Sequence, residues 1–557
     1  MSPRRDTYDV LIAGLGPVGA VAATLLGLHG VRVLVVDRGL EPYPLPRAIA
    51  FDGEALRILA GLELGDGLPA MNAHQHVRFV GARGQLLAEV AFEDEANGMP
   101  GLSFFLQPEL ERALREGLAR QPTVDVALGC ELEAFVEDGD AIVAGLREVD
   151  GGARRSVSAS FLLGCDGASS MVRRRLGIGF GGSTYEERWL VVDLAADGQI
   201  AHLPYYTAHC DPARPFVDMP SPGGHRFEWM LHPGESAEAM SDPANVRRLL
   251  SAHVDPDAVD VLRAVVYTFH ARVAERWRDR RVFLLGDAAH AMPPFAGQGL
   301  ASGLGDAQNL AWKLAAVLDG RAGDALLESY ERERRPHVRA MIHLNRFLGA
   351  VLQTRDARLA AARDTLLGTA ARMPAVGGWL RGGGPKPDPA LPRRARRKLV
   401  GRRAATGGMR IPRARLRTLD GRVERLDDVL GHRFALLGLE LDPRAALDEP
   451  ARELWDRLGA EYFRLVPRGR RHAIVTGRPS GGAETLELED LDGTLVSFVQ
   501  GRGEIAIVRP DRYVLAVPRA DEIRAASSAY AAIAGAASEP GGPVSARRRS
   551  SPLRDEA

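Results

Sequence analysis

Two glycine-rich motifs hold the residues with the clearest chemical potential in this chain. GLGPVG occupies Gly14–Gly19, and GDAAHAMPPFAGQGL occupies Gly286–Leu300 much later in the chain. Glycines let a backbone approach phosphates closely, and carboxylates beside such turns accept hydrogen bonds from sugar hydroxyls. In this order, the motifs predict one long dinucleotide across one domain, with its pyrophosphate at the first motif and its reactive ring at the second.

The first motif predicts a phosphate-binding turn between a strand and a helix. Gly14 makes the tight turn, Gly16 lets the backbone approach the pyrophosphate, and Gly19 lets the helix pack against the strand. The phosphates then lie at the N-terminus of the helix, where free N–H groups and the helix dipole favour negative charge. Asp37 ends the next strand and is placed to accept hydrogen bonds from a ribose diol. The alternative is a glycine turn needed only for packing.

The second motif predicts a rigid wall and an electrostatic partner for a redox ring. Pro293 and Pro294 are rigid and have no N–H to donate. Gly297-Gln298-Gly299 exposes backbone N–H groups at the start of a long helix, and such a helix end stabilises an anion by about 0.3–2 kcal/mol. Reduction puts negative charge on the N1–C2=O edge of a flavin, so the motif favours FAD. The alternative is a loop with glycines at a helix start.

Three further polar residues stand where a strand ends or a helix begins. Asp166 and Asp287 each follow an apolar strand, and ligands of parallel sheets lie at the carboxyl ends of the strands. Gln107 opens a helix, where its amide can bond a phosphate or ribityl oxygen. Helix capping is the alternative for each carboxylate, and an ordinary surface helix start is the alternative for Gln107.

The hydrophobic pattern predicts an α/β protein with a Rossmann-like domain. Tyr8–Ala13 and Val31–Asp37 are apolar runs typical of buried parallel strands, and the residues between them have helical spacing. Gln107–Arg120 and Gly299–Leu318 predict amphipathic helices. In Arg188–His270, strand-like segments alternate with Pro- and Gly-rich turns, which predicts an inserted, mostly antiparallel sheet.

These patterns divide the chain into six segments. We predict an FAD-binding part at 1–185, a substrate-binding β-sheet at 186–275, a second FAD-binding part with helices at 276–382, a linker at 383–408, a smaller α/β unit at 409–537 and a disordered tail at 538–557. Each boundary follows a change in strand and helix pattern or in Pro and Gly content.

Composition argues against several classes of partner. The 557 residues include 72 Lys and Arg against 72 Asp and Glu, with no basic patch interleaved with aromatics, so no nucleic-acid partner is expected. No apolar run has membrane-spanning length, so no membrane contact is expected. Cys130, Cys165 and Cys210 form no CxxC pair, which favours a reducing cytoplasm and argues against a metal site.

Jointly, the motifs resemble the class A, single-component FAD-dependent aromatic hydroxylases of the para-hydroxybenzoate hydroxylase type. The resemblance is carried by GLGPVG, VDR (Val36–Arg38), PRAIAFDGEALRIL (Pro46–Leu59), FLQPELERAL (Phe105–Leu114), GCDGASSMVRRRLGI (Gly164–Ile178) and GDAAHAMPPFAGQGL. It is closest to the branch of 3-(3-hydroxyphenyl)propionate, phenol and polyketide hydroxylases, on PRAIAFD, CDPARP (Cys210–Pro215), RLDDVLG (Arg425–Gly431) and VRPDRYV (Val508–Val514). In that branch the last domain is thioredoxin-like, and here it has no cysteine.

The resemblance implies roles for two sets of residues. FAD would be bound by Gly14, Gly16, Pro17, Val18, Gly19, Asp37, Arg38, Arg47, Gln107, Asp166, Gly286 and Asp287. Its ring would be bordered by Pro294, Gly297, Gly299, Leu300 and Ala301. NADPH or NADH would bind transiently as reductant and would meet Arg47, since members of the family bind it without a Rossmann domain of its own. The resemblance leaves a homodimer open.

The implied reaction is hydroxylation of a small phenolic or polyketide-type aromatic substrate with NAD(P)H and O2, through a flavin C4a-hydroperoxide. Water must be excluded from such a site. Pro294 would form its wall, and a base or donor near the substrate would help. Candidates in the inserted sheet are His202, Tyr206 and Arg226, with Tyr205, His209, His225 and Trp229 beside them. Structural histidines and a surface salt bridge of Arg226 are the alternatives.

Two residues depart from the pattern of the family. Ala301 stands where the family commonly has Asn, and Gly305 stands where it has Arg. An FAD-dependent oxidase or Baeyer–Villiger-type monooxygenase on the same fold stays open, as does a non-catalytic flavin-binding partner protein. A flavin-dependent halogenase is rejected, because no two tryptophans here are two residues apart.

Overall fold

The computed structural model describes residues 7–45, 47–64, 67–73, 76–91, 98–196, 200–381, 384, 386–387, 390–391, 406–470, 485–499, 501 and 503–535. Within these residues the strands are numbered in chain order: β1 (Thr7–Ala13), β2 (Val33–Asp37), β3 (Ala50–Asp52), β4 (Asn72–Ala73), β5 (His76–Gly81), β6 (Leu86–Ala91), β7 (Leu102–Phe104), β8 (Val124–Leu128), β9 (Cys130–Asp138), β10 (Ala141–Glu148), β11 (Arg154–Gly164), β12 (Phe180–Ala195), β13 (Tyr206–Cys210), β14 (Phe216–Ser221), β15 (Gly224–Met230), β16 (Asp260–Ala274), β17 (Arg278–Asp279), β18 (Val282–Leu284), β19 (His290–Ala291), β20 (Arg415–Arg417), β21 (Val423–Arg425), β22 (Ala435–Leu439), β23 (Glu461–Pro467), β24 (Thr485–Asp490), β25 (Ile505–Val508) and β26 (Val514–Ala516).

The helices are numbered in the same way: α1 (Pro17–Leu28), α2 (Gly53–Ala60), α3 (Gln107–Ala119), α4 (Met171–Arg175), α5 (Ala237–Ser241), α6 (Pro243–Leu250), α7 (Gln298–Leu318), α8 (Ser329–Leu352), α9 (Ala357–Arg372), α10 (Pro374–Arg381), α11 (Leu426–Leu430), α12 (Glu449–Arg457), α13 (Thr494–Val499) and α14 (Ile523–Ile533). Short 3-10 turns occupy Gly286–Ala288, Pro294–Ala296 and Asp324–Leu326. Among the helices of the described residues, none is both long enough and apolar enough to cross a bilayer.

The first sheet is built around five parallel strands in the order β18-β11-β1-β2-β8. Consecutive residues of β1, Val10 to Ile12, are fully buried, as expected for a strand covered on both faces. The hairpin β9–β10 pairs with β11, and β17 pairs with β18, both antiparallel. Because the parallel strands share a direction, the turns after β1, β2, β11 and β18 all lie at one edge of the sheet.

The second sheet has eight strands in the order β19-β16-β12-β15-β14-β13-β5-β6. All neighbours are antiparallel except β13 and β5, which are parallel. Its outer face carries an apolar core together with α5 and α6, including Phe227, Trp229 and Leu250. Three of its strands, β5, β6 and β19, come from outside the segment 186–275 from which the sequence predicts the sheet. A small third sheet, β3-β7-β4, completes this region.

The C-terminal unit is a seven-stranded mixed sheet in the order β21-β20-β24-β23-β22-β25-β26. β22, β23 and β24 are parallel, and the others join antiparallel. One of its cores includes Trp312 and Ala316 of α7, so the second half of that helix is shared with the first unit. Ion pairs join the two units: Arg57 to Asp427 at 2.6 Å, and Arg509 to Glu333 at 2.9 Å.

The fold class predicted from the sequence is confirmed. A Rossmann-like parallel unit, a mostly antiparallel second sheet and a C-terminal α/β unit are all present. Helix and strand positions differ only at their ends: the helix predicted at Gly299–Leu318 is Gln298–Leu318, and the strand predicted at Val31–Asp37 is Val33–Asp37. The predicted tail and most of the predicted linker lie outside the described residues.

Candidate active site

A cavity of about 1180 Å³ begins at the carboxyl edge of the first sheet and continues to the inner face of the second. Its walls include the turns after β1, β2, β11 and β18, together with the start of α7. These segments are far apart in the chain and meet only because the parallel strands end at one edge. The cavity therefore brings together most of the residues that the two glycine motifs and their carboxylates predict.

The first glycine motif is shaped by two close backbone contacts and one open side. Gly14 has a φ of +103°, and a Cβ at this position would lie 2.4 Å from the carbonyl oxygen of Cys165. A Cβ at Gly19 would lie 2.0 Å from the carbonyl oxygen of Gly14. A Cβ at Gly16 would meet nothing within 4 Å, because that side of the residue faces the cavity. α1 begins there with no side-chain cap, which leaves its first N–H groups for a ligand.

Asp37 and Gln107 line the cavity and also accept hydrogen bonds from the backbone of the loops around it. The Asp37 carboxylate accepts hydrogen bonds from the backbone N–H of Leu15 at 2.6 Å and of Gly39 at 2.7 Å. Gln107 Oε1 accepts from the N–H of Ala48 at 2.7 Å, while its Nε2 donates to Glu111 at 2.7 Å. Each group thus holds a loop at the cavity in addition to facing it.

Two carboxylates on the other side of β1 have oxygens that are not matched by donors. Asp166 Oδ2 accepts from the N–H groups of Met171 and Val172, at 2.7 and 3.0 Å, whereas its Oδ1 is buried without a partner. Asp287 faces the cavity and receives no hydrogen bond from the described residues. Enclosure by protein raises the pKa of Asp287, although His290 and Arg47 act in the opposite direction. Both groups are suited to accept hydrogen bonds from ligand hydroxyls.

The second glycine motif forms a wall held from behind by α8. Pro294 begins a 3-10 turn and faces the cavity, and Gly297 follows with a φ of +63° as the residue before α7. The N–H of Ala296 donates to Oδ1 of Asn345 at 2.8 Å, and Asn345 is fully buried. No side chain caps the start of α7. Its first N–H groups lie at the cavity, since Gly299 and its neighbours line it.

A buried ion cluster supports the start of α7 from below. Asp306 accepts from His290 Nε2 at 2.7 Å and from Arg334 Nε at 2.9 Å, and Arg334 also donates to the carbonyl of Ser302 at 3.0 Å. The guanidinium of Arg334 fills the space over Gly305, where a Cβ would lie 2.7 Å from its Nη2. The cation next to this turn of α7 therefore comes from α8. Ala301 packs against the main core.

The inner face of the second sheet supplies the far end of the cavity. Alternate residues of its strands line the space, among them Trp189, Val217 and Met219, whereas their chain neighbours point to the outer core. Tyr206, Arg226 and Glu228 are polar groups on this face. Burial, and next the charge of Glu228, raise the pKa of the Tyr206 phenol, so its hydroxyl keeps its proton near neutral pH.

Arg226 lies in a buried ion pair and not in the surface salt bridge that the sequence suggested as the alternative. Its Nε donates to Asp193 at 2.6 Å, and its Nη1 donates to the carbonyl of Arg47 at 3.1 Å. Asp193 is also paired with Arg263 at 2.5 Å. Since this charge is already matched, Arg226 holds the cavity wall in place and is not poised to neutralise a second carboxylate.

Other sequence candidates lie outside the cavity. His202 is exposed on the loop before β13 and bonds the carbonyl of His253 at 2.8 Å. His209 and His225 point to the outer face, where both bond Asp218, and Trp229 packs in the outer core. Strand alternation places His209, His225 and Trp229 on the face opposite the cavity. His202 lies on a loop and does not line the cavity, which corrects the expectation that it contacts the substrate. Gly19, Gly286 and Ala301 support the wall without lining it.

The remaining predicted residues do line the cavity. They are Gly14, Gly16, Pro17, Val18, Asp37, Arg38, Arg47, Gln107, Asp166, Asp287, Pro294, Gly297, Gly299, Leu300, Tyr206 and Arg226. Sequence reasoning missed Glu111, Glu228, Arg334 and Asn345. Arg334 and Asn345 follow the second motif on a separate helix, and no local pattern links them to it. Glu228 stands one residue from Trp229, in an alternation that marks a strand without telling which face is inner.

The groups at the cavity fit FAD. An uncapped helix start with an open glycine suits a pyrophosphate, and the unmatched oxygens of Asp166 and Asp287 suit hydroxyl donors. A second uncapped helix start, that of α7, suits the edge of a ring that becomes anionic on reduction. The N–H groups at the start of α1 can donate to phosphates, and those at the start of α7 can donate to a flavin ring. The carboxylates between them can accept hydrogen bonds from a sugar alcohol.

Comparison with known proteins agrees with this geometry. The FAD binding domain family matches residues 7–345, and the HcaD C-terminal domain family matches residues 408–533. A 3-(3-hydroxy-phenyl)propionate/3-hydroxycinnamic acid hydroxylase of Comamonas testosteroni is 36% identical, covering 95% of this chain and 97% of its own length. The protein of the same name from Klebsiella pneumoniae is 39% identical, covering 92% and 93%.

The solved structure of OxyS anhydrotetracycline hydroxylase from Streptomyces rimosus is similar throughout. It is 28% identical, with a TM-score of 0.71 over 92% of this chain and 96% of that one. The match of the family models to both units, and of the relatives over nearly the whole chain, agrees with the site described above. The chain therefore belongs to the family of FAD-dependent aromatic hydroxylases that join an FAD binding domain to an HcaD C-terminal domain.

Proposed function

We propose that the protein uses NAD(P)H and O2 to hydroxylate a phenolic ring bound against the second sheet. The observation that carries this proposal is the continuity of the cavity. The residues that suit FAD line the same cavity as an apolar face formed by Trp189, Val217 and Met219. The names of the relatives support a phenylpropionate phenol, and that of OxyS supports a larger polycyclic phenol.

In the overall reaction, a phenol, NAD(P)H, a proton and O2 give a diphenol, NAD(P)⁺ and water. FAD, when bound, supplies the chemistry that carries two electrons from the nicotinamide to oxygen. We assign it to the backbone at Gly14 and Gly16 and to the carboxylates Asp37, Asp166 and Asp287. Arg38 and Arg47, exposed at the cavity, are placed to meet phosphates of the cofactor or of the reductant.

The protein contributes orientation, electrostatics and exclusion of water. The N-terminus of α7, held by Asn345 and Arg334, would stabilise negative charge on a reduced flavin bound at the cavity. The apolar side chains of the second sheet keep water from the reacting centre. Tyr206 keeps its proton, so we assign it as a hydrogen-bond donor to the substrate and not as a base.

The proposal is tested by reconstituting the purified protein with FAD and adding NADH or NADPH with a panel of phenols, phenylpropionates and fused-ring phenols. We expect at least one phenol to accelerate NAD(P)H oxidation and to gain one oxygen atom by mass spectrometry. Consumption of NAD(P)H with H2O2 as the sole product in every case would indicate an oxidase. No stimulation by any compound would contradict enzymatic hydroxylation.

A further inference from the structure

One carboxyl group near the second sheet lies close to a cation but accepts no hydrogen bond from the described residues. Glu228 of β15 lines the cavity and is only 8% exposed. Val217 of β14 and Val191 of β12 flank it in register across the sheet, and neither can donate a hydrogen bond. Within the described residues no hydrogen bond reaches its carboxyl group.

A neighbouring row of residues in the same sheet holds charged side chains that are paired at short distance. Arg226 stands in register with Asp193, and Asp193 with Arg263, so two cations share one carboxylate. Arg226 also donates to the carbonyl of Arg47, and its Nη1 lies 3.7 Å from Glu228 Oε1, beyond hydrogen-bond distance. Across the cavity, Lys386 is paired with Asp52 at 2.8 Å. Together with Glu228, the two arginines and Asp193 form a group of two cations and two carboxylates, so its charges balance. Glu228 nevertheless accepts no hydrogen bond from the described residues.

The surroundings of Glu228 are otherwise suited to an apolar, flat molecule. Trp189, Val217, Met219 and Phe79 line the same part of the cavity. The Tyr206 hydroxyl is close enough for the charge of Glu228 to be the main electrostatic influence on it. A buried carboxyl group without a donor is costly to the protein, so a donor on a bound molecule would be favoured at this point.

Building on the proposed function, we propose that Glu228 accepts a hydrogen bond from the ring hydroxyl of the substrate and thereby selects phenols over aryl ethers. The phenol O–H stays the donor and the Glu228 carboxylate the acceptor, so no bond is broken in this step. A ring that presented a carboxylate here would face Glu228 without an unmatched cation. The polar end of the substrate at the second sheet is therefore a neutral hydroxyl, and any acidic side chain of the substrate points elsewhere.

Binding is measured with the FAD-loaded protein, by titration of the flavin absorption with 3-(3-hydroxyphenyl)propionate and with 3-(3-methoxyphenyl)propionate. We expect the wild type to bind the phenol more tightly than its methyl ether. Glu228→Met should raise the Kd of the phenol about tenfold or more, because a charge-assisted hydrogen bond is lost, and should leave that of the ether unchanged or lower. Glu228→Gln keeps a carbonyl acceptor and nearly the same shape, so we expect an intermediate loss.

Asp218→Asn is the matched control. Asp218 is also buried, on the neighbouring strand, but it points to the outer face, where His209 and His225 bond it. Its substitution should leave the preference for phenol over ether unchanged. The inference is overturned if both Glu228 variants keep the wild-type preference, if Asp218→Asn shifts it equally, or if the wild type binds the two compounds alike or binds neither.

The two proposals can fail separately, because this test depends on binding and not on turnover. If Glu228 governs binding of the phenol but no hydroxylated product forms, the proposed function fails and the assignment of Glu228 stands. If product forms and the Glu228 variants retain full discrimination in Kd and in KM, the assignment of Glu228 fails and the proposed function stands.

Discussion

Gly16 and Gly19 lie on the same turn and are glycines for opposite reasons. A side chain at Gly16 would enter open space at the cavity, whereas one at Gly19 would collide with the carbonyl of Gly14. The first residue leaves room for a ligand, and the second leaves room for the fold. Asp166 Oδ1 and the Asp287 carboxylate show the complementary case, because neither accepts a hydrogen bond from the described residues.

Gly16→Ala and Gly19→Ala test separately the room needed by the ligand and the close packing needed by the fold. Gly16 has a φ of −72°, which any residue adopts, so we expect the variant to unfold at the wild-type temperature without FAD. Its binding free energy for FAD should weaken by about 1–3 kcal/mol, roughly five- to 150-fold in Kd. Gly19→Ala should instead lose about 1–3 kcal/mol of folding stability. Thermal unfolding and FAD titration of both variants check this, and equal effects on folding would contradict it.

Asp287→Ala tests the unmatched carboxylate. Removal of an ionised acceptor for a ligand hydroxyl should weaken FAD binding by about 1.5–3 kcal/mol, roughly ten- to a hundredfold. The Kd follows from the quenching of flavin fluorescence on binding. Asp140→Ala serves as control, since that side chain is almost fully exposed and pairs only with Arg281 at the surface. Unchanged retention of FAD by Asp287→Ala would remove Asp287 from the cofactor site.

At the scale of elements, the site depends on the contact between α8 and the start of α7. Asn345 and Arg334 lie on α8 and hold, respectively, the Pro294–Ala296 turn and the first turns of α7. Neither touches the cavity. Their effect on the reaction is therefore indirect. Their loss should lower the amount of hydroxylated product formed per NAD(P)H consumed and should not weaken FAD binding.

Asn345→Ala should loosen the wall at Pro294 while leaving FAD bound. Loss of the hydrogen bond to Ala296, with its N–H left buried, should cost about 1–3 kcal/mol of stability. Water would then enter more often, so the ratio of hydroxylated product to NAD(P)H consumed should fall and H2O2 should rise. Asn245→Ala, on exposed α6, is the control. An unaltered product ratio would show that the turn holds its shape without Asn345.

The limits of sequence reasoning follow from the elements. Asp37, Asp166 and Asp287 could be placed because each follows an apolar strand, and parallel strands bring their ends together. His209 and Tyr206 could not be sorted, because alternation along a short strand gives two faces without saying which one α5 and α6 cover. The absence of an arginine at Gly305 was visible, but its physical meaning was not, since the Arg334 guanidinium that occupies the space comes from another helix.

At the scale of the whole molecule, the C-terminal unit is joined to the first by buried charges and by two neutral histidines. His432 bonds the carbonyl of Gly61 across the interface, and its ring meets that of His29. Burial lowers the pKa of His29 to about 3 and that of His432 to about 4, each helped by nearby positive groups. The interface is therefore built for uncharged histidines.

Acid should weaken this interface. The unfolded chain takes up protons on both histidines below about pH 6.5, whereas the folded protein resists until about pH 4, so stability is lost as the pH falls through that window. The loss is at most about 1.4 kcal/mol per pH unit for each histidine. Thermal unfolding from pH 7 to 4 should show a smaller decline for His29→Gln/His432→Gln than for the wild type. His202→Gln, an exposed histidine, should follow the wild type.

The strand order β18-β11-β1-β2-β8 has a consequence for how the protein is made. On the ribosome, β1 and β2 emerge together, but β11 and β18 follow only after long intervening segments. Until then, one side of β1 is an open edge able to pair with other chains. The carboxylates that we assign to FAD binding also emerge in turn, with Asp287 last. FAD therefore meets a complete site only late in synthesis, when it stabilises a finished domain and has no part in starting one.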